Sequence, residues 1–223
     1  MKVAILFSGG KDSVYAAWLV KKEGNELACA IVIKSENPDS YMFHTPSIEK
    51  AEKQVEVMKI PLLVHKTKGN KEEELEDLTE AIKIAKERYG VEGIVTGALH
   101  SEYQASRIGK ICDDLGLESI NPLWHREEIG YLNELIDNDF DIVITAVAAY
   151  PLDKSWLGRK IDEKFVSEVS ELKEKYKIHP AGEGGEFETF VLNCPLFSRG
   201  LNVKSFEDSS SGEHSHKREI EVE

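Results

Sequence analysis

Residues 3–18 read VAILFSGGKDSVYAAW. Five apolar residues give way to a serine, two glycines, a lysine and an aspartate, and a helical pattern follows at once. The apolar run is that of a strand covered on both faces. The polar stretch leads into a helix predicted from Asp12 to about Glu23, stopped at Gly24 and Asn25. A strand, a glycine turn and a helix start gather consecutive backbone N–H groups around one small volume. Glycines let the backbone approach an anion, and the helix start adds a partial positive charge. Lys11 supplies a full charge, while Ser8 and Ser13 offer hydroxyls. The predicted ligand is therefore a phosphate chain. Asp12 would repel that ligand directly, so its expected role is to help hold a Mg²⁺ shared with the phosphates. Two familiar phosphate loops are excluded by spacing. Gly9 and Gly10 are adjacent, whereas the Walker loop separates its glycines by four residues, and the three spaced glycines of the dinucleotide fingerprint are missing.

Working outward, the segments ELACAIVIK (26–34), IPLLVHK (60–66) and EGIVTGAL (92–99) read as further buried strands. Between them lie amphipathic stretches. One is opened by Thr45 and Pro46 and carries Ile48, Ala51, Val55 and Met58 on one face; another is capped by Asn70 with Glu73 and faces inward with Leu75, Leu78, Ile82 and Ala85. Ser101 with Gln104 forms a capping-box pattern for a helix through Ile108, Ile111 and Leu115. A helix around Ile129, Leu132, Leu135 and Ile136 precedes FDIVITAVAA (140–149), expected as the fifth strand. This alternation predicts an α/β fold: a five-stranded parallel sheet wrapped by helices, with its ligand edge at the carboxyl ends of the strands.

After Ala149 the rhythm changes. A connecting stretch and one helix, through Phe165, Val169, Leu172 and Tyr176, lead into glycine-rich, strand-like sequence. Residues 150–223 are expected to form a small α+β annex to a nucleotide domain at 1–149. Within it, residues 207–217 (EDSSSGEHSHK) read as a mobile hairpin loop, and His214 and His216 as solvated rather than metal-binding.

Composition narrows the function. The 223 residues carry 28 basic and 41 acidic side chains, a net charge of −13, which opposes nucleic acid and anionic membranes as partners. No apolar stretch approaches a membrane span, and the start lacks a secretion signal, so a cytoplasmic protein is expected. Cys29, Cys112 and Cys194 lie far apart without paired spacing, so neither a zinc site nor a redox pair is expected, and Cys29 and Cys112 are expected to be buried thiols.

The SGGKDS loop directly after the first strand resembles the pyrophosphate loop of the N-type ATP pyrophosphatases, whose fold is adenine nucleotide alpha hydrolase-like (HUP, Rossmann-like). EGGEFETFVLNCPLF (183–197), with GALHSEYQASRI (97–108) and YMFHTP (41–46), is similar to the diphthine–ammonia ligases. That resemblance implies ATP-dependent amidation of diphthine on elongation factor 2, using ammonium and passing through an acyl adenylate with release of AMP and pyrophosphate. It assigns Ser8, Gly9, Gly10, Lys11, Asp12 and Ser13 to the phosphates and metal, and Gly97 to a close approach of nucleotide to backbone. Val32 and Ile33 become candidates for the adenine and ribose wall. Arg107 is read either as a phosphate ligand or as a surface arginine paired with a carboxylate. His44, His100 and Gln104 are substrate candidates on the ligand edge.

Glu183, Glu186 and Glu188, interleaved with Gly184, Gly185 and Phe187, are expected to form a substrate or ammonium site, the alternative being a solvated glycine turn. Since diphthine carries a trimethylammonium group, Glu186 is expected near that cation, with Phe187, Phe190, Trp124, Tyr150 and Trp156 as aromatic neighbours. Two rival functions remain at this level. One is another superfamily enzyme, tRNA-modifying or amidating a small molecule; tRNA thiolation is disfavoured by the charge and the lack of a Cys-x-x-Cys pair. The other is a non-catalytic adenine-nucleotide sensor.

Overall fold

Strand β1 (Lys2–Leu6) is the centre of the first sheet, flanked by two strands on each side. The chain runs from β1 through α1 (Lys11–Lys22), β2 (Glu26–Ser35), α2 (Ile48–Met58), β3 (Leu62–Thr67) and α3 (Glu73–Tyr89). It then returns to the far side of β1 with β4 (Gly93–Val95), α4 (Glu102–Leu115) and β5 (Glu118–Ile120). The order is β3-β2-β1-β4-β5, every pair parallel. The computed structural model describes residues 1–35, 48–68 and 73–223. Thr45, Pro46 and Asn70, the expected starts of α2 and α3, lie outside the described residues.

Each strand alternates its side chains between two helix layers. Ala4, Cys29, Ile31, Ile33 and Ile94 pack against Leu78, Ile82 and Ala85 of α3 and Ile108 and Ile111 of α4. Helix α4 begins as its sequence predicts, with the Ser101 side chain accepting from the Gln104 N–H at 3.4 Å. It ends at Gly116, whose φ of 62° supplies the left-handed turn a C-cap requires.

The fifth parallel strand is not the expected one. It is β5, three residues long, and the run expected in its place opens the second sheet. This second unit, residues 125–223, contains α5 (Glu128–Asp137), β6 (Asp141–Val147), α6 (Glu163–Tyr176), β7 (Phe187–Asn193), β8 (Val203–Gly212) and β9 (Ser215–Val222). Its sheet is antiparallel, ordered β7-β6-β9-β8. The chain therefore divides after Trp124 instead of after residue 149. The physical reason is direct: a continuous apolar run says that both faces of a strand are covered, but says nothing of which strands it pairs with. Trp156, Phe165 and Phe187 meet edge to face at 5.6 Å in the core of this unit.

Residues 207–217 are a hairpin, as expected, but most of it is strand instead of loop. They form the paired end of β8 and β9, with Asp208 opposite Arg218 and Ser210 opposite His216. The Arg218 guanidinium donates to both Asp208 oxygens, at 2.7 and 2.9 Å. Because β8 is exposed along nearly its whole length, it has no apolar alternation to reveal it.

Among the described residues no helix is long and apolar enough to cross a membrane. The three cysteines are free and buried, and burial pushes Cys29 and Cys194 up to about 12 and Cys112 to about 11. All three are expected to resist a thiol reagent at pH 8 in the folded protein and to react completely in denaturant. A rapid native reaction of any one, followed by absorbance, would contradict this burial.

Candidate active site

The loop between β1 and α1 is closed by its own side chains. Ser13 Oγ donates to the Gly10 carbonyl at 3.1 Å and accepts from the Ser8 N–H at 3.3 Å. The Gly10 N–H donates to Ser8 Oγ at 3.3 Å, and the two serine hydroxyls lie 3.1 Å apart. Helix α1 starts at Gly10, which provides no side-chain cap, so its first turn faces the loop with its partial positive charge intact. Lys11 is buried, with Nζ 3.0 Å from Oδ2 of the half-buried Asp12. A cation and an anion thus sit together at the head of the loop.

Two features hold this loop that sequence reasoning did not single out. Gly9 adopts φ +78°, the left-handed region, and the side chain of Gln54 on α2 occupies the place its Cβ would take. Gln54 Nε2 donates to the Gly9 carbonyl at 2.9 Å. The signal was present as a glutamine on an otherwise apolar helix face. Beyond β4, the Thr96 N–H donates to the Ile120 carbonyl at 3.0 Å and its hydroxyl pairs with Asn121, fixing the chain that carries Gly97. A Cβ on Gly97 would lie 2.6 Å from the backbone carbon of Asp12 and 2.8 Å from the Ser13 nitrogen. What Gly97 admits is therefore the first turn of α1.

The β1–β2 ladder ends with the Phe7 N–H donating to the Ile31 carbonyl at 2.8 Å. By strand alternation Ile33, two residues on, turns its peptide groups to that same side, past the final rung. Its side chain packs under α3 and α4, so Ile33 offers a nucleotide backbone only; Val32 is buried on the opposite face. Arg107 lies over the Tyr103 ring at 3.4 Å and donates to the Tyr103 carbonyl at 3.3 Å. It pairs with its own helix. His100 and the Gln104 side chain are half-buried at the start of α4, in the first unit. His44 lies outside the described residues.

The acidic stretch departs from its expected surroundings. Phe187 and Phe190 are buried at 4% and 3% exposure and Trp156 is in the core, so these three rings offer no face to a ligand cation. Tyr150 is exposed and meets Tyr176 and His214 edge-on. Trp124 belongs to the first unit. Glu186 folds onto its own loop: Oε1 accepts the His179 N–H at 2.8 Å, and Oε2 is buried without a hydrogen-bond partner among the described residues. Its carboxylate lies within 3.2 Å of where a Cβ on Gly184 would stand, so a side chain there would displace the Glu186 carboxylate from this position. Gly185 turns the chain at φ +84°. Glu188 is exposed and Glu183 half-buried.

His179, Glu128 and Lys173, unmarked by any motif, border a cleft of about 300 Å³ together with Pro180 and Glu186. His179 Nδ1 accepts the Glu183 N–H at 3.4 Å, and its Nε2 lies 3.6 Å from Glu128. Partial burial alone would raise the Glu128 carboxyl. The hydrogen bond from Lys173 at 2.9 Å, a bond from its own backbone N–H and the electrostatic pull of Lys173 and His179 together outweigh it and hold the group below its ordinary value.

A parallel α/β sheet in the order β3-β2-β1-β4-β5, with a glycine turn and an uncapped helix start behind its central strand, defines a doubly wound α/β domain whose ligand edge lies at the carboxyl ends of the strands. The particular family follows from the sequence as a whole. The diphthamide synthase N-terminal domain profile matches residues 1–119 and the C-terminal domain profile residues 127–221, and the chain belongs to that family. Diphthine–ammonia ligases of Bos taurus and Homo sapiens are each 35% identical over 226 residues, covering 93% of this chain and 84% of theirs. The Schizosaccharomyces pombe relative is 32% identical over 96% of this chain, which spans only 38% of that longer protein. The U34-tRNA thiolase NcsA from Methanococcus maripaludis, solved with its 4Fe-4S cluster, overlays with a TM-score of 0.42 and 16% identity. It covers 83% of this chain and 71% of its own, a likeness too loose to carry an argument.

Gly97→Ala is expected to lower both the melting temperature and ATP affinity, because the added methyl meets backbone that cannot rotate away. Normal melting and normal affinity would show that α1 can shift freely. Glu128→Gln is expected to cost about 1 kcal/mol near neutral pH, as for a partly exposed ion pair. Its folded carboxyl is depressed, so that stability is present above the ordinary carboxylate value and lost as pH falls through the lower folded one. Denaturant melts at pH 7 and pH 3 should show the gap between variant and parent closing in acid.

Proposed function

We propose that the protein is an ATP-dependent diphthine–ammonia ligase, forming the amide of diphthamide from the diphthine carboxylate and ammonium. The observation that carries this reading is the family match along both units, supported by the glycine loop and uncapped helix start behind the first strand. A carboxylate is a poor acyl donor because its leaving group would be oxide. Attack of that carboxylate on the α-phosphorus of ATP gives an acyl adenylate and releases pyrophosphate. Ammonia then attacks the acyl carbon, and AMP departs.

In this scheme the N–H groups of Gly9, Gly10 and the first turn of α1 bind the pyrophosphate, and Lys11 neutralises its charge. Ser8 and Ser13 brace the loop and meet the phosphates from its edge. The Asp12 carboxylate, half-buried at the head of the loop, suits a Mg²⁺ that takes one protein ligand, phosphate oxygens and water. Bound there, the ion would offset phosphate charge. Ile33 lines the adenine side through its backbone, Val32 is assigned to the same wall as its strand neighbour, and Gly97 keeps α1 close. In the first unit His44, His100 and Gln104 are assigned to the substrate; in the second, Glu183, Gly184, Gly185, Glu186 and Glu188 form the substrate or ammonium loop. The protein substrate is elongation factor 2 in the cytoplasm.

The test is incubation with ATP, ammonium and diphthine-bearing elongation factor 2, with the modified histidine weighed by mass spectrometry. Amide formation with AMP and pyrophosphate in equal amounts is expected. ADP and phosphate as main products would overturn the mechanism, and an unchanged carboxylate the substrate. Lys11→Ala should reduce turnover by about 10²–10³-fold, the scale of losing one preorganised stabilising group. Near-normal turnover would move the phosphate site elsewhere.

A further inference from the structure

Gln54 is fully buried, on the face of α2 that also carries the buried Ala51, Val55 and Met58. An apolar side chain of the same length would complete that face without desolvating an amide. The amide reaches outside its own helix: Nε2 donates to the Gly9 carbonyl at 2.9 Å, across 45 residues of sequence and in buried surroundings.

The bond acts on a peptide whose orientation decides the charge of the loop. The peptide unit is planar and trans, so its carbonyl and the following N–H point in opposite directions. With the Gly9 oxygen turned toward Gln54, the Gly10 N–H points the other way, where it donates to Oγ of the exposed Ser8 at 3.3 Å. Glycine at 9 and glycine at 10 leave this peptide free to rotate unless something holds it. Turned over, it would present an oxygen to an incoming phosphate in place of a donor.

We propose that Gln54 is a positioning residue of the phosphate loop, holding the Gly9–Gly10 peptide with its oxygen away from the bound anion and its N–H toward it. The proposal rests on the reading of this loop as a pyrophosphate cradle. Gln54 touches no substrate; it acts through the loop, and specifically on groups beyond the α-phosphate.

The experiment is calorimetric titration of the full chain, with Mg²⁺ present, using inorganic pyrophosphate, ATP and AMP as three separate probes. Wild type is compared with Gln54→Met, which keeps length and removes the donor, and with Gln54→Leu; melting temperatures are taken in parallel. Pyrophosphate and ATP should each bind about tenfold more weakly to both variants, a shift of about 1.4 kcal/mol. AMP affinity should stay within a factor of two. Wild-type pyrophosphate affinity in Gln54→Met would overturn the proposal and leave the cradle intact. Equal losses for AMP and pyrophosphate, with a large fall in melting temperature in both variants, would reduce Gln54 to core packing and also overturn it. Wild type without measurable pyrophosphate binding would instead bring down the cradle itself, and the role of Gln54 with it.

Discussion

The close approach of the chain after β4 to the first turn of α1 is the constraint on which the nucleotide unit depends. With 2.6 Å between the Asp12 carbonyl carbon and the point where a Gly97 Cβ would stand, no side chain can come between them. Strands β1 and β4 are neighbours, but their following segments lead to helices on opposite faces of the sheet. At such a switch point the strand ends diverge and leave a crevice. Gly97 sets how narrow that crevice is, and so where the start of α1 stands over the sheet edge. Thr96, tied to β5 by its N–H and to Asn121 by its hydroxyl, keeps Gly97 from moving away.

Much of this unit was legible in sequence because its signals are local. The β1 run, the glycines and Lys11 follow one another directly, and Ser101 with Gln104 marks the start of α4 within four residues. What escaped depends on partners. Strand β5 is three residues, one of them apolar, too short to show any period. Strand β6 shows its burial plainly and its sheet not at all, since pairing with β7 and β9 is decided by sequence that comes later. Strand β8 is held by β9 and by the Asp208–Arg218 pair, while its own side chains face water.

The acidic loop gives a different lesson. The sequence puts Phe187 beside the acids as an expected ring for the cation, but strand alternation in β7 buries it and leaves Glu188 exposed, and periodicity is all that the local sequence offers here. It cannot tell that Glu186 turns back to take the His179 N–H, because that bond needs the left-handed turn at Gly185 and the open space at Gly184. Nor could any spacing rule bring His179, Glu128 and Lys173 together, since they come from separate parts of the fold. Three acids in six residues looked like one site. In the folded protein they have three different surroundings: Glu183 half-buried beside His179, Glu186 folded inward, Glu188 on the surface.

The charge balance explains why loop geometry matters so much here. With a net charge of −13, the chain repels a nucleotide at long range. At physiological ionic strength that field is screened beyond about 8 Å, so affinity for phosphate has to be generated at contact. Lys11 cannot supply all of it, because its ammonium already faces Asp12 at 3.0 Å and the two charges largely offset each other before any ligand arrives. In the proposed phosphate cradle the remaining attraction comes from oriented N–H dipoles, which fall off faster with distance than charges and reverse sign when a peptide turns over. A loop relying on dipoles must therefore be fixed in advance. The serine bonds, the left-handed Gly9 and the buried Gln54 amide fix it during folding, so the ordering is complete before the nucleotide binds.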